Sequence, residues 1–255
     1  MQPVALFETL AQSTWKTLDR SHRRRVLFGE DAITSIILNS LASLPHSVVA
    51  EDTRIQESTK GCDFELWLGN DHSGWSRYAL QAKKLTVSSS VYAKLNHKVG
   101  GRPQIDILDQ YARANGAAAL YCFYNHSLQP HGWNCPLPRD TEQLGCSVAP
   151  SATVRRALFG RGRRNFSWIH LQPGTMPWRC LVRCPHLAPG SSIHSDDSWS
   201  DGSSYHHAEL PASLRHLRET RGQIAVQDTH DLFNPEVGLR PGWVAVVDSK
   251  GQLEG

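Results

Sequence analysis

The chain has 255 residues and a mass of 28.4 kDa, enough to bury one sizeable α/β core or two small ones. With 40% apolar and 20% charged residues and a formal net charge of +3, its balance is globular, which excludes a disordered or fibrous chain. No apolar run reaches the roughly 18 residues of a membrane helix, and Met1–Arg20 carries Glu8, Gln12, Lys16 and Asp19, so it does not read as a secretory signal. The expectation is a cytoplasmic protein with no membrane partner.

Leu6, Phe7, Leu10, Trp15 and Leu18 predict an amphipathic helix over residues 1–18. Ile33, Ile36, Ile37, Leu41 and Leu44 form a second helical stripe that Pro45 stops, with Glu30 and Asp31 in its first turn. His46–Ala50 reads as a short strand. Two alternating runs, Cys62–Leu68 and Trp75–Lys83, flank the turn-forming Gly69-Asn70-Asp71-His72-Ser73-Gly74 and make a β-hairpin. After a Ser/Gly/Lys-rich connection, residues 88–102, a helix is expected over Ile105–Asn115, ended by Gly116, and then a strand, Ala117–Tyr124. Beyond Asn125 the pattern weakens. Ala152–Leu158 and Ala212–Thr220 suggest helices; Trp168–Leu171, Arg179–Val182 and Trp243–Asp248 suggest strands; Gly190–His207 reads as a mobile surface loop. The chain thus divides into a helical and basic segment, 1–27, a core, 28–125, and an Arg-rich region, 126–255.

Charge is unevenly placed. Arg20, His22, Arg23, Arg24 and Arg25 cluster, and residues 151–185 hold seven arginines (Arg155, Arg156, Arg161, Arg163, Arg164, Arg179, Arg183) and no carboxylate. A local excess of this kind suits a polyanion such as nucleic acid. Trp133, Trp168, Trp178 and Trp199 lie among these arginines and read as core residues before base-stacking ones. The six cysteines lack the density of a disulfide framework. Cys180-x3-Cys184 has the spacing of half a zinc site, with Cys135 and Cys146 or His186 as candidate partners. No second short-spaced pair completes it, so ordinary reduced thiols are expected.

The hairpin carries the chemistry. A loop centred near Asp71–Ser73 sets Asp63 opposite either Leu80 or Gln81, and side-chain alternation favours Gln81. That register gathers Asp63, Glu65, Gln81 and Lys83 on one face, away from the turn, with Phe64, Leu66, Leu80 and Ala82 on the buried face. Cross-strand charge pairs also serve structure alone, so this grouping by itself leaves both readings open.

Asp63-x-Glu65, followed 18 residues on by Gln81-Ala82-Lys83 within an α-β-β-β-α-β order, resembles the PD-(D/E)XK nuclease superfamily. Glu30 resembles the extra acidic residue that many members place on the preceding helix, and Gln110-Tyr111-Ala112 with Ala117–Tyr124 resembles the helix and strand after the lysine. The stretch Glu57-Ser-Thr-Lys-Gly-Cys-Asp63 is similar to uncharacterised bacterial proteins of this group. The resemblance covers roughly residues 28–125. Cys62 stands where a proline is common, and Gln81 where an acid is usual. It implies an α/β fold of restriction endonuclease type, with a mixed central sheet flanked by helices; beyond it, the weaker pattern after Asn125 reads as a less regular C-terminal α+β region. The resemblance also implies Mg²⁺ or Mn²⁺ held by Glu30, Asp63, Gln81 and the Ala82 carbonyl, with Lys83 orienting the nucleophile and Glu65 or Glu57 as a further ligand or acid–base group. Lys84, Lys94, Lys98 and Arg102, with Arg155, Arg156, Arg161, Arg163 and Arg164, would hold the nucleic-acid backbone. The implied activity is DNA hydrolysis in phage defence, by a homodimer or with a partner protein of a defence system. A ribonuclease and an inactive module binding nucleic acid or protein are the alternatives.

Overall fold

The computed structural model describes residues 1–52, 60–184, 205–220 and 239–249. Helix α1 (Pro3–Arg24) runs past Leu18 to a basic last turn of His22, Arg23 and Arg24, favourable at the negative end of the helix dipole. Helix α2 (Glu30–Ala42) places Glu30 and Asp31 in its first turn. Strands β1 (Val48–Glu51) and β2 (Lys60–Cys62) precede the hairpin of β3 (Phe64–Asn70) and β4 (Gly74–Lys84). The Asn70 side chain builds the turn, its Oδ1 accepting from the backbone N–H of His72 at 2.9 Å and of Ser73 at 2.8 Å. A small ribbon, β5 (Lys98–Val99) and β6 (Arg102–Pro103), leads into α3 (Gln104–Ala114) and β7 (Ala118–Tyr124). There follow a 3₁₀ turn (Thr141–Gly145), β8 (Cys146–Pro150), α4 (Ser151–Phe159), α5 (Phe166–Leu171), β9 (Met176–Pro177) and α6 (Cys180–Arg183). The last elements described are β10 (His206–His207), α7 (Ala212–Glu219), β11 (Arg240–Pro241) and β12 (Trp243–Asp248).

The protein is α/β, with a mixed central sheet in the order β1-β12-β3-β4-β7-β8-β9 and β10 on β4. The β3–β4 register pairs Phe64 with Leu80 and Leu66 with Tyr78, the alternative that aligns Asp63 with Gln81. Both faces of the hairpin are covered. Phe64, Leu66, Tyr78, Leu80 and Ala82 pack with Leu6, Phe7 and Leu10 of α1 and Ile33, Ile37 and Leu41 of α2. On the other face Ala79, Tyr121 and Phe123 pack with Ile105, Leu108 and Tyr111 of α3, Val154 of α4 and Ile169 of α5. Leu214 and Leu217 of α7, with Leu210 just before it, form a third cluster with Trp67, Trp75, Val244 and Val246.

Four expectations change. The strand order of the core is interrupted: β12, parallel to β3 and antiparallel to β1, separates those two strands. The described part of residues 126–255 therefore completes the same sheet through β8, β9, β10 and β12, and 1–27 packs into the same core. Residues 168–171 and 179–182 fall in or at the start of helices, not in strands; Asn165 caps α5, its Oδ1 accepting from the Trp168 N–H at 2.9 Å. Of the mobile loop expected over 190–207, residues 205–207 are instead held on the sheet. Tyr205 is buried, and β10 pairs with Ser76 and Trp75 of β4, in the stretch of that strand before β7 begins. Residues 190–204, with His194 and Trp199, lie outside the described residues. Trp178 is buried and Trp133 and Trp168 are half-buried, as core tryptophans should be.

Candidate active site

Asp63 occupies the break between β2 and β3, its N–H donating to the Leu80 carbonyl at 3.0 Å. The corner before β12 closes on this break: the Gly242 N–H donates to the Cys62 carbonyl at 3.0 Å. A Cβ on Gly242 would stand 2.6 Å from the Asp63 carbonyl oxygen, so only glycine permits that approach.

The Asp63 carboxylate is fully engaged. Its Oδ2 accepts from the Ala82 N–H at 2.8 Å and from the Gln81 side-chain amide, and its Oδ1 pairs with Lys60 Nζ at 2.7 Å. Gln81 and Lys83 alternate onto the same face of β4 and are both buried. Lys83 Nζ stands 3.8 Å from Glu30 Oε1, and Glu30 Oε2 accepts from the Lys84 N–H at 2.6 Å. The first turn of α2 thereby reaches the end of β4. Burial pushes the Glu30 carboxyl above the usual carboxylate range; Lys83 opposes that shift and the Asp63 charge adds to it. The Glu30 carboxylate of α2 thus feels the charge of Asp63 at the start of the hairpin, in a partly desolvated site.

The residues here that could hold a hard divalent cation are oxygen ligands, though both Asp63 oxygens are taken by protein partners in this state. They offer two carboxylates, an amide whose oxygen replaces its nitrogen by a half-turn, and the backbone carbonyl of Ala82 on the same strand. Lys60, a quarter exposed, neutralises Asp63 in this state. Sequence reasoning missed the pairing of Lys60 with Asp63, because residues i and i+3 of a strand face opposite ways and only the break at Asp63 brings the two together.

Glu65 is the main correction. It is 2% exposed and its carboxylate is consumed by structure. Trp67 Nε1 donates to Oε1 at 2.6 Å, and Arg77 Nη2 and the Tyr111 hydroxyl donate to Oε2 at 2.8 and 2.7 Å. Burial holds the Tyr111 phenol protonated and therefore a donor. Glu65 shares a face with Asp63, but α3 covers it and leaves no ligand position open. Glu57 lies outside the described residues.

The basic residues separate into two groups. Arg155 Nη2 lies 2.8 Å from Asp106 and 2.5 Å from Asp109, and Arg179 and Arg183 lie 2.9 and 3.6 Å from Glu8. The acid-free stretch thus borrows its counter-charges from α3 and α1, and Arg155 is corrected to a structural role. Lys84 Nζ donates to the Phe28 carbonyl at 2.6 Å, anchoring the segment before α2. Arg102, exposed, donates to Gln110 Oε1 at 2.8 Å. Lys94, Lys98, Arg156, Arg161, Arg163 and Arg164 are exposed. The Tyr92 N–H donates to the Arg164 carbonyl at 2.9 Å, which ties this arginine segment to the connection leaving the end of β4. Beside Lys84 lies a groove of about 810 Å³, rimmed by His22, Arg23 and Arg25.

Among the described residues no helix is long and apolar enough to cross a membrane. Comparison with curated proteins and with solved structures gives no match. A family model described as "Family of unknown function (DUF6615)" matches residues 4–248, nearly the whole chain, and the chain belongs to that family.

Proposed function

We propose that the protein is a metal-dependent nuclease that hydrolyses DNA phosphodiester bonds, with a role in phage defence. The observation that carries this reading is the meeting of Asp63, Gln81 and Lys83 with Glu30 at the open end of the hairpin, a buried ammonium among oxygen donors. Bound Mg²⁺ or Mn²⁺ would supply Lewis-acid polarisation of the phosphate and a water of lowered pKa. Asp63 and Glu30 would hold the cation as charged ligands, with Gln81 and the Ala82 carbonyl as neutral ones. Lys83, fixed by burial, orients the attacking water and offsets charge on the phosphorane-like transition state. The groove beside Lys84, with its basic rim, accepts the phosphate backbone without reading bases.

The test incubates the purified protein and its Asp63→Ala and Lys83→Ala variants with supercoiled plasmid, linear duplex, single-stranded DNA and RNA, in Mg²⁺, Mn²⁺ or EDTA. Metal-dependent cutting of DNA by the wild type alone supports the proposal. Cutting of RNA alone makes the protein a ribonuclease. Full activity in either folded variant ends this mechanism. A second reading, a module that binds without cutting, is favoured by the neutral Gln81 and by Lys60 on Asp63; it predicts DNA binding unaffected by EDTA and no cleavage under any condition.

A further inference from the structure

Three of the six cysteines converge from segments far apart in sequence. Cys180 opens α6 and Cys184 caps it, so the i, i+4 spacing puts both thiols on one side of a single helical turn. Cys135, from the connection after β7, comes to meet them: Cys180 Sγ lies 3.1 Å from Cys135 Sγ, and the three sulfurs lie within 4.8 Å of one another. All three are free thiols, two buried and one half-buried. Tetrahedral thiolates at the usual Zn–S length of about 2.3 Å stand about 3.8 Å apart, a separation within this cluster's span. Cys146 is not part of it, its thiol turning instead to Thr14 Oγ1 at 3.5 Å. His186 lies outside the described residues.

The surroundings suit a thiolate cluster. A cation accompanies the thiols: Arg179 immediately precedes Cys180 in the chain. Arg179 is itself fixed between Glu8 and the Pro138 carbonyl. The neighbouring elements are ones a clip would secure: Trp178 Nε1 donates to the Phe7 carbonyl at 2.8 Å, so the segment entering α6 is already joined to α1 beside the cluster.

We infer that Cys135, Cys180 and Cys184 supply three thiolate ligands of a structural zinc site, distinct from the oxygen-lined site at Asp63. Soft thiolates select zinc where carboxylates and carbonyls select Mg²⁺. The site would tie the connection after β7 to α6, closing a 45-residue span and holding the second half of the chain onto α1 and the sheet edge. Sequence spacing shows only one close cysteine pair; the third ligand arrives by folding.

The experiment purifies the full chain from zinc-supplemented culture, reduced and without chelator, and measures bound metal. One zinc per chain is expected, lost in Cys135→Ser, Cys180→Ser and Cys184→Ser and kept in Cys146→Ala. Because a cysteine variant can fail to fold, the wild type is also refolded with Co²⁺, where thiolate-to-cobalt charge-transfer absorption with tetrahedral d–d bands is expected. A reduced, folded wild type with neither zinc nor the cobalt spectrum overturns the inference. So does a folded triple variant that retains the metal, or a Cys135–Cys180 disulfide in protein purified without oxygen. None of these readouts depends on DNA cleavage, so the nuclease proposal stands or falls separately.

Discussion

Replacing Glu65 distinguishes a structural carboxylate from a catalytic one. Glu65→Ala removes the acceptor of three donors at once, the Trp67 indole, the Arg77 guanidinium and the Tyr111 hydroxyl. Arg77, 16% exposed, then keeps its charge with too few partners. Breaking a buried ion pair from one side costs about 3–5 kcal/mol, because the stranded charge is left without its partner and does not regain water. For a chain of this size each kcal/mol lowers Tm by roughly 2–4 °C, so Tm should fall by about 6–20 °C. Urea unfolding should show the same loss as a lower midpoint with little change in slope. Glu65→Gln keeps the shape and one accepting oxygen and should lose roughly half as much. If the nuclease reading holds, folded Glu65→Gln protein should cut at nearly the wild-type rate, whereas Asp63→Ala should not. A Glu65→Ala variant as stable as the wild type would show that Glu65 is not a structural carboxylate, and a folded Glu65→Gln variant that binds DNA but no longer cuts would place it in the chemistry instead.

Two further outcomes follow from buried or paired groups. His170 is fully enclosed and neutral, its Nδ1 donating to the Phe166 carbonyl at 2.9 Å and its Nε2 accepting from Ser147 Oγ at 2.8 Å. Burial depresses its pKa from 6.5 to about 4. The unfolded chain therefore takes up the proton first as pH falls, so stability present above pH 6.5 drains away towards pH 4, by about 3 kcal/mol. Unfolding free energies of the wild type and of His170→Gln, measured across that window, should diverge by about this amount from its top to its bottom; parallel curves would contradict it. For the basic surface, replacing Arg161, Arg163 and Arg164 by Ala should weaken DNA binding and reduce the slope of log affinity against log salt by about one for each phosphate no longer neutralised. Arg155→Ala, whose guanidinium is spent on Asp106 and Asp109, should leave that slope unchanged in a fluorescence-anisotropy titration.

The local patterns were legible because periodicity and turn chemistry act over a few residues. Alternation in 62–68 and 75–83 around the Asn70 turn specified the hairpin and its register, and with them the alignment of Asp63 with Gln81. The stripe from Ile33 to Leu44 located α2, and Glu30 in its first turn. Other features needed contacts between distant segments. Glu65 and Asp63 are equivalent by alternation, and only the packing of α3 over Glu65, with Arg77 and Tyr111, makes one structural and leaves the other at the open end. Arg155 and Arg179 read as unopposed charge until α3 and α1 bring their carboxylates.

The hairpin, its flanking helices and the residues at its open end were therefore written into short stretches of chain. Three features were not: the insertion of β12, from the far end of the chain, between β1 and β3; the sharing of one sheet by the two halves; and the arrival of Cys135 beside Cys180 and Cys184. The physical reason is range. Hydrophobic alternation records which face of an element is buried, but the partner that buries it is chosen by the summed packing of all the elements, and no window of neighbouring residues contains that sum.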